Sequence, residues 1–201
     1  MTAASSTLRN VIGLDDRLPR LTDATLIMID FQNTYRRGVM AVDGAEQALA
    51  AGSRLLGAAR ESGRPVVHVV NDGGPGTPYD IRAEIGAISD SVAPLPGEPV
   101  VIKRFPNAFH DTDLEPTLRE LGAGQELVLA GFMTHMCVSY TAQGAFNLGY
   151  TPTVVAEATA TRSLPSPLGD TVPAAALQAA ALTTIADLFG VVAATVDDLV
   201  R

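Results

Sequence analysis

Short apolar runs of four to seven residues alternate along this chain with alanine-rich stretches of helical period. That alternation restricts the fold more than any other feature. "ATLIMID" ends at Asp30, and "AEQALAAGSRLLGAARES" follows, stopped by Gly63 as a left-handed C-cap. "PVVHVV" comes next, then the Gly/Pro-rich "NDGGPGTPYD", then "PVVIK" ending at Lys103. Thr112 and Glu115 have the spacing of a capping box for "DLEPTLREL", which Gly122 closes. "ELVLAG" precedes a helical pattern from about residue 134 to 148, closed by Gly149. "PTVVAEA", a helix over about 174–189 and "VVAATV" complete the order.

Continuous apolar runs suit strands buried on both faces. Their alternation with helices predicts an α/β fold: three αβα layers around a six-stranded, mainly parallel, doubly wound sheet of Rossmann-like type. A length of 201 residues favours one domain over 1–201. Residues 1–20 read as an arm lying over a surface or a neighbouring subunit. The formal net charge of −8 argues against nucleic acid and anionic membranes as partners. No apolar stretch approaches the roughly 20 residues that span a bilayer. The first residues lack a basic end followed by an apolar core, so no secretory signal is expected. One cysteine, Cys137, makes no internal disulfide and suits a reducing, cytoplasmic compartment.

In parallel α/β sheets, sites form beyond the carboxyl ends of the strands. Asp30 closes the first strand, Lys103 closes the third, and Cys137 follows the fourth. Singly, each has a plain structural explanation: a turn-forming Asp, a solvated Lys, a core Cys. Together at one sheet edge they suit a covalent hydrolase. A free thiol is mostly protonated at neutral pH, so it needs a base and a positive charge to hold the thiolate. Asp30 can be the base and Lys103 the charge. A carboxylate alone would disfavour the thiolate, so the lysine is needed. Backbone N–H groups at the start of the helix carrying Cys137 can also receive an oxyanion.

Three segments carry a resemblance: "LIMIDFQNTY", "VVIKRFPNAFHDTDLEPTLRELG" and "LVLAGFMTHMCVSYTAQGAFNLGYTPTVVAEATATR". The chain resembles the isochorismatase-like cysteine hydrolases from about residue 22 to the last strand. The resemblance implies an Asp30–Lys103–Cys137 triad and a non-proline cis peptide between Phe132 and Met133. It also implies an oxyanion hole from the backbone N–H groups of Met133 and Cys137, and assembly as a homodimer or homotetramer. Members of the family that cleave a vinyl ether typically lack the cysteine, so Cys137 favours C–N hydrolysis of a small amide, ureido compound or lactam. The nicotinamidase branch carries a metal-binding D-x-H with a further His. Here His68, Asp72 and Asp80 do not form that pattern, and neither metal nor cofactor is expected. A vinyl-ether hydrolase and a redox-responsive or inactive relative stay open as alternatives.

Phe31, Gln32, Tyr35, Phe105, Asn107 and Phe132 flank the reactive positions and are the candidate substrate contacts. His68 reads as a satisfied core or flanking residue. His135 lies two positions before Cys137 on a helix and so faces away from it. His110 could reach a pocket mouth. "EATATRSLPSP" could touch the same edge through Thr161 or Arg162, or simply connect two elements. "DGGPG" lacks the spacing of a phosphate-binding loop and reads as a flexible connection.

Overall fold

The computed structural model describes residues 5–200. Six strands form one sheet: β1 (Thr25–Ile29), β2 (Val66–Asn71), β3 (Val100–Lys103), β4 (Glu126–Phe132), β5 (Thr151–Ala160) and, after a separate hairpin, β8 (Val191–Ala193). Their order is β3-β2-β1-β4-β5-β8, and every neighbouring pair is parallel. Chain order reverses between β1 and β4, which makes the carboxyl ends of these two strands the switch point of the sheet.

Strand alternation divides the interior in two. Leu26 and Met28 of β1, with Val128 and Ala130 of β4, pack beneath α2 (Ala45–Glu61) through Leu49, Leu55 and Leu56. Ile27, Ile29, Leu127 and Leu129 point the other way. They meet Leu114 and Leu118 of α3 (Leu114–Glu120), Ala142 and Ala145 of α4 (Ser139–Asn147), and Ile185 just beyond α5 (Ala174–Thr184). Such two-sided burial accounts for the unbroken apolar runs. β3 is an edge strand, and its Val100 and Ile102 are exposed.

Gly63, Gly122 and Gly149 all have positive φ just beyond their helices, as their places in the sequence require. Gly131 is needed for a different reason. A Cβ there would stand 1.8 Å from the Ile29 carbonyl oxygen, at a φ of +136°. No other residue lets β4 lie this close to β1 just before the site.

Three expectations need correction. The Thr112–Glu115 capping box does not form. The cap position falls one residue later, on Asp113, which makes no side-chain bond; the Thr112 hydroxyl donates to the Ala108 carbonyl and accepts the Leu114 N–H at 3.2 Å. The fifth strand runs beyond "PTVVAEA" to Ala160, after a register shift against Leu129 and Gly131. The segment after it is not a plain connection: β6 (Leu164–Ser166) and β7 (Gly169–Val172) form an antiparallel hairpin. Of the arm over 1–20, the first four residues lie outside the described residues. A short helix, α1 (Leu8–Val11), docks on this same chain: Leu8 N–H donates to Asp187 Oδ1 at 2.9 Å and Arg9 Nη1 to the Leu188 carbonyl at 3.3 Å. Among the described residues no helix is long and apolar enough to cross a membrane.

Candidate active site

Asp30, Lys103 and Cys137 meet at the carboxyl edge of the sheet. β1 ends at Ile29, and Asp30 leaves it with φ of 51°, its N–H still donating to the Val69 carbonyl at 2.9 Å. β2 and β3 bring Asn71 and Lys103 into register. After β4 the Phe132–Met133 peptide is cis, and the chain enters a single π-helical turn over Thr134–Val138 that continues into α4. Cys137 sits in that turn; wide turns of this kind recur at functional sites.

The Lys103 ammonium is the hub. Its Nζ lies 2.7 Å from Asp30 Oδ2, donates to Cys137 Sγ at 3.2 Å and reaches Asn71 Oδ1 at 3.5 Å. Asp30 and Lys103 are sealed from solvent, and Cys137 is 7% exposed. The ion pair apart, neither Asp30 oxygen finds a well-aligned hydrogen bond among the described residues. That leaves a buried carboxylate able to take a proton.

Burial raises the pKa of Asp30, against the opposing charge of Lys103 and looser polar contacts from Lys103, Cys137 and the Asn71 backbone. Burial alone would lower that of Lys103, but the charges of Asp30 and Cys137 reverse it and the net direction is upward. Burial and then the Asp30 charge push the Cys137 thiol up to about 12, with Lys103 offsetting only part. The surroundings therefore favour the protonated thiol of Cys137 beside the Asp30–Lys103 pair. A thiolate held ready by its surroundings is not what this geometry produces.

Several expected substrate contacts turn inward. Gln32 is fully buried: Nε2 donates to the Asn71 and Gly86 carbonyls at 3.0 and 2.7 Å, and Oε1 accepts the Asn71 N–H at 3.0 Å. With its amide engaged in this way, Gln32 ties the end of β1 to β2. Phe31 is core, its ring against Gly52 of α2 and 5.0 Å from Phe132. Phe132 is likewise buried against Phe31 and Tyr35. Asn107 accepts the Phe109 N–H at 2.9 Å in a local turn packed on Gly144 of α4. Tyr35 is buried beneath Tyr79, with ring centroids 5.8 Å apart. Phe105 is 46% exposed and stands edge-on to His110.

The other histidines have partners of their own. His68 is buried and paired with Glu98 Oε2 at 2.9 Å. His135 Nδ1 is bonded to the Thr161 hydroxyl. Asp72 and Asp80 are bridged by Arg82 at 3.0 and 2.7 Å, which pins the ends of the Gly/Pro-rich loop bearing Tyr79. Sequence reasoning missed Asn71 and Tyr79. Asn71 stands at the end of β2, so the strand-end rule that found Lys103 could also have found it. Tyr79 lies within a loop and carries no such signal.

Residues 24–197 match the family model of the isochorismatase domain. The chain is 33% identical over 193 residues to a secreted isochorismatase effector, Isc1, of Verticillium dahliae, covering 96% of this chain and 98% of that protein. It is 31% identical over 216 residues to the ureidoacrylate amidohydrolase RutB of Variovorax paradoxus, covering 90% and 81%. The crystal structure of an isochorismatase from Pseudomonas putida KT2440 superposes with a TM-score of 0.93 at 39% identity, covering 98% of this chain and 100% of that one.

Proposed function

This chain belongs to the isochorismatase family and is one of its hydrolases, and from that premise we propose that it cleaves a C–N bond of a small amide-type molecule through an acyl-thioester on Cys137. The observation that carries this reading is the position of Lys103 Nζ, 2.7 Å from a carboxylate oxygen and 3.2 Å from the only sulfur of a cysteine. The amidohydrolase activity named for the Variovorax relative supports it.

In the proposed sequence, Asp30 takes the Sγ–H proton as sulfur attacks the substrate carbonyl carbon. The raised pKa of Asp30 makes it the stronger base, and Lys103 stays charged to balance the developing thiolate. The carbonyl oxygen becomes an oxyanion, received by the backbone N–H groups of Met133 and Cys137. As the tetrahedral species collapses, the C–N bond breaks and Asp30 returns its proton to the departing nitrogen. Water, deprotonated by Asp30, then attacks the thioester, and the proton goes back to Sγ as the acid leaves.

A second reading, vinyl-ether hydrolysis with Asp30 as general acid, is favoured by the names of the fungal and Pseudomonas relatives. The redox-responsive reading loses support, because a buried thiol raised to about 12 is a poor target for oxidants.

Ammonia release from a panel of small amides and ureides, with intact-mass detection of an acyl adduct on Cys137, tests the proposal. Cys137→Ser should lower turnover by on the order of 10³-fold or more with the fold intact, since a hydroxyl is far harder to ionise than a thiol. Near-wild-type amide hydrolysis by that variant removes the cysteine mechanism. Cleavage of isochorismate undiminished in it would favour the second reading.

A further inference from the structure

We propose that residues 72–83 form a hinged flap that closes the catalytic edge and swings as a unit to admit substrate. Asp30 and Lys103 are 0% and 1% exposed and Cys137 is 7% exposed, which leaves too little of the sulfur open for a substrate carbonyl to be held against it. A covering segment therefore has to move. Two segments at this edge are tied down. Ala108 N–H donates to the Thr141 hydroxyl of α4 at 3.0 Å, which fixes the stretch after Lys103. The Thr161 carbonyl accepts the Asp43 N–H at 2.8 Å, which fixes the stretch after β5. The third segment is tied mainly to itself. From Gly73 to Arg82, among the described residues, every hydrogen bond to the backbone and every ion pair closes within 72–83. Gly74 N–H donates to Asp72 Oδ1 at 2.9 Å and Gly76 N–H to Asp80 Oδ2 at 2.8 Å, and Arg82 joins the two carboxylates. This is a compact Ω-type loop with its ends together. It can pivot on those ends without breaking a bond of its own.

The loop lies over the strand ends that carry the site. Asp72 N–H donates to the Lys103 carbonyl at 2.9 Å, and Gly73 N–H to the Tyr79 carbonyl at 3.2 Å, which folds Tyr79 back over the edge. The Tyr79 ring rests on Tyr35 with centroids 5.8 Å apart, and the Tyr35 ring lies 5.5 Å from Phe132, the residue before Met133. Tyr79 is thus the flap's apolar hold on the core. It spans the edge from β3 to β4, where the three reactive side chains meet. A single ring contact is a weak hold against opening. Closure over a bound substrate would shut water out of the site.

Alkylation of Cys137, the chain's one cysteine, reads the opening without turnover. The probes are iodoacetamide and the bulkier 5-iodoacetamidofluorescein. A minor open state is typically about 0.1–10% populated, so Tyr79→Ala, which removes the hold, should quicken labelling by both probes at least about tenfold. The gain should be the same across a pH series, since access has changed and the acidity of the thiol has not. If that variant fails to fold, the wild type decides. Its labelling should be flat in urea below the unfolding transition, because a rigid swing exposes little surface. Unchanged labelling in Tyr79→Ala overturns the flap. So does a gain confined to iodoacetamide, which marks only the hole left by the ring, or one that comes from a lowered pH midpoint. Wild-type labelling that climbs with urea along the unfolding curve overturns it too, since the thiol is then reached by unfolding alone. These readouts do not depend on which bond the enzyme cleaves, so failure of the hydrolase reading leaves them as they stand.

Discussion

Lys103 and Asp30 form a fully buried ion pair, Nζ to Oδ2 at 2.7 Å, and the same ammonium holds Cys137 Sγ at 3.2 Å. A buried pair of this kind is weak evidence for stability, since two charges have been stripped of water. Its value lies in the opposed effects of the two charges on one thiol.

Those effects are separable by labelling. Asp30→Asn removes a charge that raises the thiol pKa and leaves the one that lowers it. Iodoacetamide labelling of Cys137 should therefore survive or quicken at a given pH. Amide hydrolysis should fall by about 10²–10⁴-fold, the usual worth of a positioned acid–base group. Lys103→Ala should slow both labelling and hydrolysis. A pH series on folded samples of both variants decides it; identical labelling profiles would show that the two residues do not divide the work in this way.

Gly131→Ala should be severely destabilising. The added methyl meets the Ile29 carbonyl oxygen at 1.8 Å, in a backbone conformation that L residues rarely adopt. The loss should be about 3 kcal/mol or more, read from urea midpoints. A variant within about 0.5 kcal/mol of wild type would mean that β1 and β4 can separate without penalty.

Acid should weaken the fold partly through Glu98. The Arg60 guanidinium holds both its oxygens at 2.8 Å, with further bonds from Leu95 N–H and His68, and its pKa falls to about 2 from an ordinary 4.5. The folded-state value lies below the unfolded one. This contribution is therefore complete above about pH 4.5 and is lost as pH falls toward about 2. Unfolding free energies across that window should drop less steeply in Glu98→Gln than in wild type. Parallel slopes would show that Glu98 titrates alike in both states.

By itself the sequence determined the alternation of elements, the six parallel strands and the glycines that end three helices. Local rules suffice there, because period and φ preference are properties of neighbouring residues. It also put Asp30, Lys103 and Cys137 at one sheet edge, since strand ends in such a sheet share a direction. Tertiary structure alone decided which way the flanking residues turn. The Gln32 amide, which the sequence left unassigned to any partner in the chain, is held by the Gly86 carbonyl 54 positions away. Thr112 looked like the start of a capping box with Glu115, but the folded helix takes Asp113 as its cap. The thiol's upward shift had the same origin: burial is set by distant segments closing over the sulfur, and no local spacing records it. A polar group satisfied locally can be read from spacing, whereas one satisfied by a distant partner can be assigned only once the chain is folded.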